Sequence, residues 1–253
     1  MKFYRVNSFV SEKHKGNPAG VVLLHDNWLA ENEMQNIAAE INLSETAFVM
    51  NRNNKLFIRW FTPTTEVDLC GHATMAAAHV LFSERDFSYN LEFTSKLYDL
   101  PVEQKHGLIT LDFPIGDIWN ISPKDVPDCF NFTPKRYLRS EDEYILVFEN
   151  QSQIEKAICD FEKAKNIDLS GFIITAKSDM PGIDFVSRYF APKIGINEDP
   201  VTGSAHIFLA TYWQKKLGKD EFNAIQLSER GGKLHCRIIE NRVKISGLAE
   251  FAV

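Results

Sequence analysis

Two short segments place reactive residue types in a loop that enters a helix. The first is Glu66-Val67-Asp68-Leu69-Cys70-Gly71-His72-Ala73-Thr74, and the second is Glu198-Asp199-Pro200-Val201-Thr202-Gly203-Ser204-Ala205. In each, a glycine at the turn lets the backbone approach a ligand, and the N–H groups of the first helical turn suit an anion. Cys70, His72, Asp199 and Ser204 add groups that hold or move protons. Either loop alone is explained by helix capping, since Ser, Thr and Asp are common N-caps. The pair contains more polar groups than capping uses, and it reads as a site for a small carboxylate. A third candidate is Glu45 in Leu43-Ser44-Glu45-Thr46-Ala47-Phe48-Val49-Met50. Its apolar company would raise a carboxyl pKa toward the range useful for proton transfer.

These residues sit in a chain that repeats itself. Arg59-Trp60-Phe61-Thr62-Pro63 recurs as Arg188-Tyr189-Phe190-Ala191-Pro192, an offset of 188 − 59 = 129. Ile41-Asn42-Leu43-Ser44 recurs as Ile167-Asp168-Leu169-Ser170 at 126, and Gly71-His72-Ala73 as Gly203-Ser204-Ala205 at 132. Three matches in one order indicate two homologous halves, and residues that differ between matched positions become functional candidates. Glu45 then aligns with Gly171, so the carboxylate is expected on one side only. Cys70 has no thiol counterpart near Asp199.

Apolar periodicity predicts the elements that hold these residues. Strands are expected over Phe3–Phe9 and Ala19–Leu24 around a turn at Lys15-Gly16-Asn17-Pro18, with a helix over about 30–40. Strands at 47–50 and 56–61 and a helix over Gly71–Ser83 complete the first half. The second half repeats the order: a strand at 144–148, a helix over about 153–163, strands at 172–175 and 185–190, and a helix from Ser204 to Leu217 ended by Gly218. The boundary falls at Phe113-Pro114-Ile115-Gly116, giving halves 1–113, completed by 244–253, and 114–243. Without regular βαβα alternation, each half reads as a mixed α/β unit, a curved mixed sheet around a helix.

Composition narrows the function. A net charge of −6 and 44% hydrophobic residues describe an ordinary globular chain with no positive excess for a phosphate backbone, so nucleic acid is not an expected partner. The longest nearly apolar stretch, 73–82, is about half of what spans a bilayer, and a membrane partner is not expected. The opening residues lack the apolar run of a secretion signal, and a cytoplasmic protein is expected. The four cysteines lack metal-type spacing and are expected as reduced thiols.

Asn17-Pro18-Ala19-Gly20, Leu43-Ser44-Glu45-Thr46-Ala47-Phe48, Cys70-Gly71-His72-Ala73-Thr74 and Asp199-Pro200-Val201-Thr202-Gly203-Ser204-Ala205 together resemble the PhzF family, named for phenazine biosynthesis. The resemblance runs in order from the first strand to Val243-Lys244-Ile245-Ser246-Gly247-Leu248-Ala249. It implies the diaminopimelate epimerase-like fold, two pseudo-symmetric halves with the active site between them, no metal or organic cofactor, and a homodimer. It also implies a cofactor-independent isomerase that moves a proton between carbons. By motif, Glu45 matches the acid/base, and His72, Asp199 and Ser204 match its partners around the substrate. Gly71 and Gly203 match positions whose amides face the ligand carboxylate, while Asn17, Ser44 and Cys70 are candidate pocket residues. A protonated His72 would stabilise developing negative charge. Asp199 either orients His72 or acts as the second acid/base.

Three other readings compete. A two-thiol racemase needs a cysteine in each loop, and 197–204 has none, which leaves an epimerase with mixed Cys/Asp chemistry. A hydrolase using Ser204, His72 and Asp199 lacks the second glycine of a nucleophile elbow in Thr202-Gly203-Ser204-Ala205-His206. The third is a non-enzymatic homologue that binds a metabolite.

Overall fold

In the computed structural model, which describes residues 1–84 and 89–252, the chain divides into two compact units. Unit 1 is Met1–Phe113 with Lys244–Val253, and unit 2 is Pro114–Val243.

Unit 1 contains β1 (Lys2–Val10), β2 (Asn17–His25), α1 (Glu31–Ile41), β3 (Glu45–Arg52), β4 (Lys55–Phe61), the short β5 (Glu66–Val67), α2 (Gly71–Ser83), β6 (Asn90–Thr94), β7 (Asp99–Lys105) and β8 (Leu108–Pro114). The pairing runs β1–β2 antiparallel, β2–β3 parallel, β3–β4 antiparallel, β4–β6 parallel, then β6–β7 and β7–β8 antiparallel. In α2 the residues from Gly71 to Phe82 are buried except His79. A helix apolar on every side must be enclosed, and its run Ala76-Ala77-Ala78 keeps it thin enough for surrounding strands. Only Met34 and Ala38 of α1 are buried. They pack on Val22, Leu24, Phe48, Met50 and Phe61, which marks the opposite face of the sheet.

Unit 2 follows the same plan. It comprises β9 (Trp119–Asn120), β10 (Arg136–Arg139), β11 (Glu143–Val147), α3 (Gln151–Glu155), α4 (Phe161–Ala164), β12 (Gly171–Lys177), β13 (Phe185–Ala191), β14 (Ile196–Asp199), α5 (Gly203–Leu217), β15 (Glu221–Gln226) and β16 (Gly232–Ile239). Here β11–β12 is parallel, β12–β13 antiparallel, β13–β15 parallel and β15–β16 antiparallel, the sequence of senses seen from β2 to β7. Tyr144, Leu146, Phe172, Ile174, Val186 and Phe190 face Ile154 and Ala164 of α3 and α4. The alternate residues therefore face α5. There Trp213 donates its indole N–H to Thr175 Oγ1 at 3.1 Å and stacks on Phe185. The last strand, β17 (Arg242–Phe251), belongs mostly to unit 1, where it pairs with both β1 and β8. The strands β1-β2-β3-β4-β6-β7-β8-β17 thus form a closed ring.

Two local expectations need correction. The turn between β1 and β2 lies at Ser11–His14, and Asn17 and Pro18 are already paired in β2. Gly16, at φ +67, supplies the left-handed residue that leads into β2. The helix expected over 153–163 is two short ones. Between them Ile158 is 69% exposed, its N–H donates to Asn131 Oδ1, and Cys159 bridges Phe130. Asp160 then caps a fresh helix through Lys163 N.

Gly171 opens β12 where a side chain would not fit, because a Cβ there would lie 2.6 Å from the Phe190 carbonyl oxygen and 3.1 Å from Ala191 Cβ. Gly171→Ala is expected to cost about 1–3 kcal/mol by overpacking. Equilibrium denaturation checks this, and an unchanged midpoint would mean that β13 yields. Among the described residues no helix is long and apolar enough to cross a membrane.

Candidate active site

Glu45 is the first residue of β3, paired with Ala19 of β2. Its Oε2 lies 3.3 Å from Nε2 of His72, the second residue of α2, and both side chains are largely buried. The other ring nitrogen, Nδ1, is 3.2 Å from Asn17 Nδ2 and 3.5 Å from Cys70 Sγ. The amide and the thiol are donors toward it, so Nδ1 accepts and Nε2, on the side of the ring near Glu45, carries the ring proton. Burial pushes the His72 pKa down to about 3 and outweighs the nearby carboxyl, so the ring is neutral at pH 7. This corrects the protonated His72 of the sequence reading. Buried Ser8 fixes the start of α2 by donating to the His72 carbonyl at 2.7 Å.

Capping does not explain the two loops. Neither N-cap residue, Cys70 for α2 or Thr202 for α5, makes a side-chain cap hydrogen bond. Gly71 and Gly203, both buried, open the two helices, and Ser204 follows half-buried. Ser44 is half-buried just ahead of β3. Glu45, Cys70 and His72 each offer one ligand atom, all within 4.8 Å of one another, and as a set they could hold a metal ion. The thiol approaches Nδ1 and the carboxylate Nε2, however, and one metal would need both on the same nitrogen.

In unit 2, Asp199 ends β14 and is 5% exposed. Thr202, the counterpart of Cys70 at the 132 offset, donates its hydroxyl to Asp199 Oδ2 at 2.5 Å. Gln226 locks this loop by donating to the Asp199 carbonyl at 2.8 Å and accepting Thr202 N–H at 2.9 Å. His206 gives Nδ1–H to the Thr202 carbonyl at 2.8 Å and takes Ser187 at Nε2, and burial lowers its pKa to about 4. With both nitrogens engaged, it is no base for Ser204.

Sequence reasoning missed Gln226, Tyr189 and Glu143. Gln226 was visible only as a polar residue ending an apolar strand. The view that unit 2 has no carboxyl matching Glu45 is corrected by strand pairing, since Glu143 lies beside Gly171 on the neighbouring strand. Burial raises the Glu143 pKa to about 8, against the hydrogen bond from Tyr189. The folded chain therefore keeps a proton that the unfolded chain releases above the ordinary value of 4.5. Stability from this group is greatest below that value and falls as pH rises to about 8. Glu143→Gln is expected to remove this decline, read as thermal midpoints across the window.

A profile of the family described as "Phenazine biosynthesis-like protein" matches residues 6–252. A Pseudomonas aeruginosa protein named an uncharacterized isomerase is 43% identical over 251 residues, covering 98% of this chain and 95% of that one. The crystal structure of a PhzF-family phenazine biosynthesis protein from Enterococcus faecalis superposes with a TM-score of 0.91 at 43% identity, covering 99% of this chain and 96% of that one. A predicted epimerase from Pseudomonas aeruginosa shares the fold at a TM-score of 0.75 and 18% identity, covering 99% and 96%. On sequence, coverage and fold, the chain belongs to the phenazine biosynthesis-like, or PhzF, family.

Proposed function

We propose that the protein is an isomerase that relocates a proton on a small carboxylate substrate by acid/base chemistry of its own side chains. The observation that carries this is Glu45 set against the neutral His72 N–H at the start of α2, whose N-cap side chain makes no cap. Glu45 takes a proton from a carbon next to a carboxyl or unsaturated group, and negative charge develops on the substrate. The first-turn amides of α2 face that charge with the positive end of the helix, stabilising it as it forms. The His72 ring, with Nε2 3.3 Å from Oε2, packs against the Glu45 carboxylate and limits its orientation, and the protonated Glu45 returns the proton at another carbon or face.

Asp199 enters as the second acid/base and Ser204 as its companion at the start of α5. The mixed Cys/Asp reading is less favoured, because Cys70 is buried with its thiol turned to His72 Nδ1. To test the proposal, the protein is incubated with a panel of small carboxylates in deuterated water and label at carbon is followed by NMR. Exchange above a Glu45→Gln control is expected for at least one compound. None across a broad panel overturns the proposal.

A further inference from the structure

The parallel pair β2–β3 sets Ala19 beside Glu45, and the matching pair β11–β12 sets Glu143 beside Gly171. Glu45 and Gly171 are matched positions, 171 − 45 = 126. The same rung therefore carries one carboxyl and one small residue in both units, with the strands exchanged. Paired residues of parallel strands share a face, so Glu143 stands on the α5-facing surface. Tyr189, matched to Trp60, donates its hydroxyl to Glu143 Oε1 at 2.7 Å. Tyr189 is also the rung partner of Asp199 across β13 and β14, which places the two side chains next to each other on that face.

We propose that Glu143 is a positioning residue for Asp199: by accepting the Tyr189 hydroxyl it keeps that donor away from the Asp199 carboxylate. The inference rests on Asp199 being the second acid/base of the proposed reaction. A phenol given to a carboxylate forms a charge-assisted bond that weakens the carboxylate as a base. Glu143 draws the phenol off without adding charge. Among the described residues its Oε2 is buried without a hydrogen-bond partner, and burial raises its pKa to about 8. The titratable groups that act on it are Tyr189 on β13 and Asp142, the residue just before its strand, and Asp199 on β14 acts in turn on Tyr189.

The first measurement needs no substrate. With carboxyl-labelled aspartate, NMR titration is expected to show Asp199 at a lower pKa in Glu143→Ala, where Tyr189 turns to it. Glu143→Gln, whose amide oxygen still accepts the phenol, should keep the wild-type value, and Glu143→Ala with Tyr189→Phe should restore it. An unshifted Asp199 in Glu143→Ala overturns the proposal whether or not the reaction is the one proposed. If the protein exchanges label, Glu143→Ala should lower kcat by about tenfold to a hundredfold, the worth of a misplaced buried hydrogen bond, and Glu143→Gln should recover most of it at pH 7. A kcat in Glu143→Gln no better than in Glu143→Ala overturns it too. If label exchange fails with every compound while Asp199 shifts as expected, the proposed reaction falls and the positioning role stands.

Discussion

Replacing Glu45 by glutamine is expected to lower kcat for carbon-label exchange by about a hundredfold to ten-thousandfold, the usual worth of a positioned acid/base. Glutamine keeps the size of the side chain and its place beside the His72 ring, whose Nε2 lies 3.3 Å from Glu45 Oε2. What it loses is the ability to take a proton. KM should change little, because the α2 first-turn amides of the proposed substrate site are untouched, and this pattern marks an interaction made only on the way to the transition state. Glu45→Asp keeps the chemistry but retracts the carboxylate, so it should fall between the two. A Glu45→Gln enzyme with unchanged kcat and raised KM would recast Glu45 as a binding residue.

The second large effect concerns stability. Arg188 gives Nε and one terminal nitrogen to Glu198 at 2.6 and 2.8 Å, donates to the Ile154 and Ala157 carbonyls at 3.1 and 2.8 Å, and lies over the Phe190 ring. Removing it strands a partly buried carboxylate and two backbone acceptors, so Arg188→Ala is expected to cost about 3 kcal/mol. Arg59 repeats the arrangement with two bonds of 2.7 Å to Glu66 and its guanidinium over Phe61. Its additional partners are the exposed Glu31 and the Trp28 ring in place of buried backbone carbonyls, so Arg59→Ala should cost less. Chemical denaturation of both variants decides the matter, and an Arg188→Ala loss no greater than that of Arg59→Ala would refute the ranking. Glu198→Ala in the Arg188→Ala background should recover part of the loss by removing the unpaired charge.

The repeated Arg-aromatic-Phe segment was legible in the sequence as a repeat, but its purpose was not. Its partners Glu66 and Glu198 lie at the 132 offset in the loops read for chemistry. Only strand pairing shows that these acids bind arginine while their neighbours Cys70, His72 and Asp199 remain near the helix starts. Linear alignment found Glu45 opposite Gly171 and missed Glu143, because the matching carboxyl lies 28 residues earlier (171 − 143) on an adjacent strand. The central helices α2 and α5 were readable from their apolar runs. The helix over 153–163 misled because Ile158 fits the helical spacing while lying on the surface. The charge of His72 was unreadable for another reason: a ring's protonation depends on burial and on which donors face each nitrogen.

The closed ring of unit 1 has a consequence for how the chain is made. Unit 2 is one continuous segment, Pro114–Val243, whereas unit 1 needs Lys244–Val253 beside residues from the other end of the chain, with Val6 against Phe251 and Asn7 against Glu250. Contacts so distant in sequence close late. During synthesis unit 2 is complete while β1 and β8 still present unpaired edges, and such edges recruit other strands. The nascent protein therefore passes through a stage in which Glu45 and His72 are already translated but their enclosure lacks one strand. The order of translation then makes β17, which follows unit 2 in the chain, the strand that closes the ring around the proposed proton-transfer pair.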